Sequence, residues 1–97
     1  MRVVFTRVAR RDLLDIAAYI THDAPIRAKT FLDELEQKCK SLADNPAVGA
    51  MRPDLLTDVR LVPYGSYNIY YLPLADRVRI LRIYHSARLI EAGDLPI

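Results

Sequence analysis

The sequence predicts an α+β fold, a helical hairpin packed on an antiparallel sheet in the order β-α-α-β-β-β. Three observations carry that prediction. Two consecutive segments in the first half repeat their apolar residues at helical spacing, and only four residues separate them. Three β-branched and aromatic runs follow in the second half, joined by links too short for anything but antiparallel neighbours. A fourth such run opens the chain.

Val3–Phe5 is that opening strand, and Thr6 stands where a helix N-cap belongs. Ala9, Leu13, Ile16, Ala17 and Ile20 then recur on one face of a helix over about residues 7–21, with Arg7, Arg10, Arg11, Asp12 and Asp15 between them. His22-Asp23-Ala24-Pro25 ends it, with Asp23 able to cap the next helix and Pro25 tolerated in its first turn. The second stripe is Ala28, Phe31, Leu32, Leu35, Cys39, Leu42 and Ala43, opposed by charged residues, and Asn45-Pro46 stops it, giving a helix over 26–44. Residues 46–57 read as loop. Val59–Pro63, Tyr67–Leu72 and Val78–His85 read as three strands around Tyr64-Gly65-Ser66 and Pro73-Leu74-Ala75-Asp76. The last is apolar on both faces, which places it inside the sheet, although Arg77, Arg79 and Arg82 interrupt it. The tail 86–97 is weakly patterned.

At 97 residues the chain is expected to form one domain. Apolar residues make up 52% and charged residues 27%, which excludes a disordered chain. No apolar run reaches the roughly 18 residues of a membrane helix, and Arg7, Arg10 and Arg11 break any secretory h-region. With a single Cys39 there is no internal disulfide, so the chain is expected to be cytoplasmic. The net charge of +2 is spread evenly: eight bases against seven acids up to residue 50, six against five after it. That balance does not demand nucleic acid. Eleven of the fourteen bases are Arg, which suits carboxylate, phosphate and interface pairing, although a GC-rich genome would give the same bias.

Metal and cofactor chemistry find no foothold. His22, Cys39 and His85 are far apart in sequence, Cys39 lies on the apolar stripe as an inert thiol, and three isolated glycines make no phosphate loop. The chemically notable residues are on the C-terminal strands: Arg60, Tyr67, Tyr70, Tyr71, Arg82, Tyr84, His85 and Arg88. If Arg82 shares a face with Tyr84 and Arg60, the strands present a cationic, aromatic surface. Such a surface suits RNA phosphates and bases, or a protein partner. The structural alternative pairs Arg60 and Arg82 with carboxylates such as Asp54 and Asp58 and buries the tyrosines. His85 is a candidate general base or a hydrogen-bonded strand-end residue, and His22 fits the negative end of a helix dipole.

Taken together, the residues resemble the ParE branch of the RelE/ParE toxin superfamily of type II toxin–antitoxin systems. The resemblance runs over about residues 3–88. It is carried by Thr6-x-x-Ala9-x-x-Asp12-Leu13-x-x-Ile16-x-x-Tyr19-Ile20, Ala28-x-x-Phe31-x-x-x-Leu35 and Leu42-x-x-x-Pro46-x-x-Gly49. Arg52-Pro53-Asp54-Leu55, Arg60, Tyr67-x-Ile69-Tyr70-Tyr71 and Val78-x-Ile80-Leu81-Arg82-Ile83-x-His85-x-x-Arg88 continue it. The order and spacing of the fragments, more than any one of them, make the likeness specific.

The resemblance implies one of two activities. RelE-like members are ribosome-dependent endoribonucleases; on that reading the catalytic set is Arg60, Arg82 and His85, helped by Tyr84 or Arg88. ParE-like members poison DNA gyrase by protein–protein contact, with no catalytic residue and no cofactor; the target-binding set is then Arg60, Arg82, Tyr84, His85 and Arg88. Residues 86–97 contain no Tyr and no Lys follows residue 40, two departures from the nuclease pattern. Leu89 is a departure from the ParE pattern, where Asp often follows His-x-x-Arg. The resemblance also implies a ParD-like antitoxin, folding as an amphipathic helix on Leu14, Ala18 and Tyr19, which otherwise pack within the hairpin. The antitoxin then carries any sequence-specific DNA contacts, the toxin none alone.

Overall fold

In the computed structural model, which describes residues 1–96, two antiparallel helices lie on one face of a five-stranded sheet. The elements are β1 (Arg2–Phe5), α1 (Arg7–Asp23), α2 (Pro25–Ser41), β2 (Ala50–Met51), β3 (Arg60–Tyr64), β4 (Tyr67–Pro73) and β5 (Arg77–His85), with a single 3-10 turn at Ala92–Asp94. The strand order is β1-β5-β4-β3-β2. Pairing is antiparallel except at β1, which runs parallel to β5 in the register Arg2–Arg77 to Phe5–Ile80. That parallel pair is made possible by the long connection between its strands, through both helices and then β2, β3 and β4, since only a long connection returns the chain in the same direction.

The helices form as their stripes require. The Thr6 hydroxyl accepts from Ala9 N at 3.0 Å and caps α1. α1 runs two residues past the expected end, so Asp23 is its last residue and does not cap α2. Ala24 serves both helices and offers no side-chain cap, while Pro25 opens α2 without needing a donor. α2 stops at Ser41 rather than 44, because Leu42, Ala43 and Asp44 donate three residues back and tighten into turns before Pro46. β2 falls in the stretch that reads as loop. It is two residues long and exists through its pairing with β3.

Two apolar clusters explain why β4 and β5 are apolar on both faces. Beneath the helices, Leu13, Ile16, Phe31, Leu35, Cys39 and Leu42 meet Val62, Tyr67, Ile69, Tyr71, Val78, Ile80 and Ile83. On the outer face, Tyr70, Leu81 and Tyr84 are covered by Leu55 and Val59 from the 52–59 loop and by Ile90 and Leu95 from the tail. The tail is therefore a packed cover. Its 3-10 turn is closed by a reciprocal capping box between Glu91 and Asp94.

A bulge in the β4–β5 ladder at Tyr70/Tyr71 leaves Leu81 as the extra residue, with Tyr70 opposite Arg82 and Tyr71 opposite Ile80. The buried Tyr71 hydroxyl donates to Pro46 O and accepts from Gly49 N, each at 2.8 Å, which fastens the loop after α2 to the sheet. A Cβ on Gly49 would stand 2.6 Å from that hydroxyl and 2.8 Å from Leu61 O, so only glycine allows the approach. Among the described residues, no helix is long and apolar enough to cross a membrane.

Candidate functional site

The site grows out of the place where β1 ends. β1 pairs with β5 only as far as Ile80, which leaves the polar backbone of residues 81–85 without a strand on that side. α1 takes over the role with side chains. Thr6 N donates to Ile80 O at 3.0 Å and its hydroxyl donates to Leu81 O at 2.9 Å. One turn later the Asp12 carboxylate accepts from Ile83 N at 3.0 Å. Thr6 and Asp12 are the two buried polar residues of the described chain, and each is consumed in this work.

Asp12 has a second task. Arg82 Nε and Nη2 donate to its two oxygens at 2.8 and 2.9 Å, and Arg82 Nη1 donates to Asp94 O at 3.1 Å. All three guanidinium nitrogens are thus occupied, with the side chain 15% exposed. The hydrogen bonds it donates to Asp12 hold Arg82 above its ordinary pKa. The pairing corrects the expected partners: Arg82 meets neither Asp54 nor Asp58, and Asp54 instead pairs with Arg52 at 2.9 Å. Arg82 is a fastener joining α1, β5 and the tail.

Beside this fastener lies an open groove of about 480 Å³, lined by Asp12, Asp15, Ile16 and Tyr19 from α1 and by Tyr67, Ile83, Tyr84, His85 and Arg88. A second hollow of about 360 Å³ shares Tyr19, Tyr67 and His85 with it and continues to Arg27, Phe31 and Gly65. The two make one trough along the exit of β5. Its floor is aromatic: Tyr67 meets His85 edge-on at 5.4 Å and Phe31 at 5.7 Å between ring centres. Burial pushes the Tyr67 hydroxyl above its ordinary pKa.

The expected site residues separate in the fold. Tyr84, His85 and Arg88 line the trough, with Arg82 behind them; Arg82 and Arg88 stack on Tyr84, their guanidinium carbons 4.5 and 4.1 Å from the ring centre. Arg60 is elsewhere. Its register partner Tyr71 belongs to the helix-side core, whereas Arg82 and Tyr84 alternate onto the outer face, so the condition that the three share a face is not met. Arg60 Nη1 donates to Ala47 O at 3.1 Å and Gly49 O at 2.7 Å, beside a separate 250 Å³ hollow at the β2 edge.

His85 is exposed, and its Nδ1 accepts from Ala87 N at 3.1 Å. With Nδ1 accepting, the neutral ring carries its proton on Nε2 and is a donor there. Of the α1 residues, Leu14 is 70% and Tyr19 69% exposed, and Ala18 is exposed too, so none of the three packs within the hairpin. Tyr19 lines the trough, while Leu14 lies about 140° round the helix from it. Asp12 is the residue that sequence reasoning missed. The sequence places it among the polar residues between the apolar positions of α1, yet it sits three after Ala9 and four before Ile16, on the edge of the buried stripe.

Residues 3–90 match the family model of the ParE toxin of type II toxin–antitoxin systems, parDE. The chain belongs to the ParE toxin family. A solved structure of a chromosomal ParDE toxin–antitoxin system from P. aeruginosa superposes with a TM-score of 0.75 at 24% identity, covering 88% of this chain and 95% of that one. The toxin–antitoxin complex RelBE2 from Mycobacterium tuberculosis superposes with a TM-score of 0.63 at 28% identity, covering 87% and 95%. No curated protein sequence gives a significant match. This ParE-family chain is accordingly the toxin of a type II toxin–antitoxin system.

Proposed function

We propose that this toxin inhibits DNA gyrase by protein–protein contact, in the cytoplasm, and that a ParD-like antitoxin neutralises it. The family match over residues 3–90 carries this reading. The arrangement of the site supports it. A nuclease needs its cations and its base around one phosphate, but Arg60 lies on the opposite side of the sheet from Arg82. Arg82 spends its donors on Asp12 and Asp94, and the free nitrogen of His85 bears a proton.

The target contact falls to the exposed residues of the β5 exit, Arg88 and His85 with Tyr84 behind them, while Arg82 positions the strand and tail. The antitoxin segment covers Leu14 and Ala18 and enters the trough at Tyr19. Tyr19 and His85 line the same trough, so an antitoxin seated there stands where the target must bind. Neutralisation then needs no change in the toxin's shape.

A gyrase supercoiling assay with purified toxin, with and without antitoxin, tests this. Loss of supercoiling or accumulation of cleaved plasmid, reversed by antitoxin, is the expected result. Arg88→Glu should abolish the inhibition with thermal stability changed by no more than about 1 kcal/mol, since Arg88 is exposed and has only its stack on Tyr84 to lose. A flat response from folded, antitoxin-competent toxin would overturn the reading and direct attention to ribosome-bound mRNA.

A further inference from the structure

The outer face of the sheet is covered at one end only. The outer cluster takes in Leu81 and Tyr84 but nothing of β5 before Leu81 and nothing of β1; Val4, the apolar residue there, lies outside it. Val3, Phe5, Val78 and Ile80 belong to the helix-side core or pack against it. Two-residue alternation therefore sends Arg2, Arg77, Val4 and Arg79 to the bare end of the outer face. Arg2 and Arg77 are direct cross-strand partners, and Arg79 follows two residues on. Like charges directly opposite repel. Among the described residues, Arg2 and Arg79 have no carboxylate within ion-pair distance, and Arg77 reaches only the exposed Asp76 at 4.0 Å.

A second electrostatic cost sits on the helix side, beyond the far end of β1. The first turns of α1 carry Arg7, Arg10 and Arg11 and no acidic residue in the first turn, against the preference of a helix N-terminus for negative charge. Arg10 is brought to the β1 edge, its guanidinium carbon 5.6 Å from the Phe5 ring centre. The repulsion along the Arg2, Arg77 and Arg79 ladder is relieved when an anion arrives there.

We propose that Arg2, Arg77 and Arg79 form a binding surface for the phosphate backbone of duplex DNA. Guanidinium matches phosphate geometry with paired hydrogen bonds. This end of the face offers no aromatic ring on which unpaired bases would stack, and its apolar residues, Val4 and Leu72, are half-buried rather than projecting anchors for a protein, so the contact is with backbone and carries no sequence preference. The choice of DNA over RNA rests on the gyrase reading, because duplex DNA is what that target holds; the phosphate chemistry of the ladder does not rest on it.

Fluorescence anisotropy of the purified full-length toxin with a labelled mixed-sequence 20-base-pair duplex, in about 50 mM salt and upward, tests the surface. Binding should weaken with salt, with a log–log slope of about −3 for three phosphate contacts. The pair Arg77→Gln and Arg79→Gln should weaken it about tenfold and flatten the slope by about 2. Lys29→Gln with Lys40→Gln, on α2, removes the same charge and should leave affinity within twofold. Neutralising Arg77 also removes a repulsion, so melting temperature should hold or rise; if the double variant does not fold, Arg2→Gln carries the test. Absence of binding, equal loss in both double variants, or a tenfold preference for a matched RNA duplex or poly-glutamate would overturn the proposal. Should the duplex bind through the ladder while supercoiling stays unaffected, the gyrase reading falls and the phosphate surface stands.

Discussion

Asp12 shows how much one side chain can hold. Its carboxylate closes the open edge of β5 at Ile83 N and neutralises Arg82, which in turn grips the tail at Asp94 O. With side-chain exposures of 15% for Arg82 and 9% for Asp12, this is a buried pair. Removing one member strands the other's charge and costs more than the pair itself contributes. Asp12→Ala should therefore destabilise the fold by about 3–5 kcal/mol, read from urea denaturation. Replacing the pair as Asp12→Ala with Arg82→Met should recover part of that loss but not all, because Ile83 N stays without an acceptor. Full recovery would mean that the backbone bond to Asp12 contributes nothing. The same pair explains why charge reversal at Arg82 cannot report on target contact: it breaks the fastener first. Arg88, exposed and outside the pair, is the position that separates binding from folding.

Among the elements, α1 is the unusual one, a helix that finishes a strand's hydrogen bonding. Thr6 is the joint, capping α1 through Ala9 N while its hydroxyl donates to Leu81 O. Thr6→Val keeps the shape and loses both bonds. It should cost about 1–2 kcal/mol, and Thr6→Ser should restore most of it, both read from thermal or urea melts. Equal stability of the Val variant would show that water replaces the hydroxyl there. Both helices and the three C-terminal strands were legible in the sequence because their apolar spacing is long and regular. What was not legible was set by pairing across the chain. β2 is two residues with no period of its own, and the parallel placement of β1 follows from a crossover that no local pattern reports. The tail looked unpatterned because its two anchors, Ile90 and Leu95, are too few to show a period. The candidate site was legible in part: Tyr84, His85 and Arg88 converge on the trough, whereas a bulge and strand alternation place Arg60 and Arg82 on opposite faces.

For the molecule as a whole, the cluster between the helices and the sheet buries protonated groups that must ionise in strong base. Cys39 is fully buried on the helix side, where loss of hydration pushes its thiol from 9.0 to about 12. Burial likewise raises the Tyr67 and Tyr71 hydroxyls above their ordinary value of 10.0. In each case the native state holds a proton that the unfolded chain has released. The unfolded state then binds fewer protons, and stability falls as pH rises. The contribution is intact below about pH 9 and drains away from there to about pH 12, with Cys39 acting first. Each fully engaged group adds a slope of about 1.4 kcal/mol per pH unit. Urea melts at pH 8, 9, 10 and 11 should show a decline that begins between 9 and 10, and Cys39→Ala should delay its onset toward the range where the tyrosines titrate. The same burial keeps the thiol inert, so maleimide at pH 8 should label Cys39 only as fast as the protein unfolds. Rapid labelling of the native chain, or a stability profile flat to pH 11, would mean that the seam between helix α2 and the sheet opens far more readily than its packing implies.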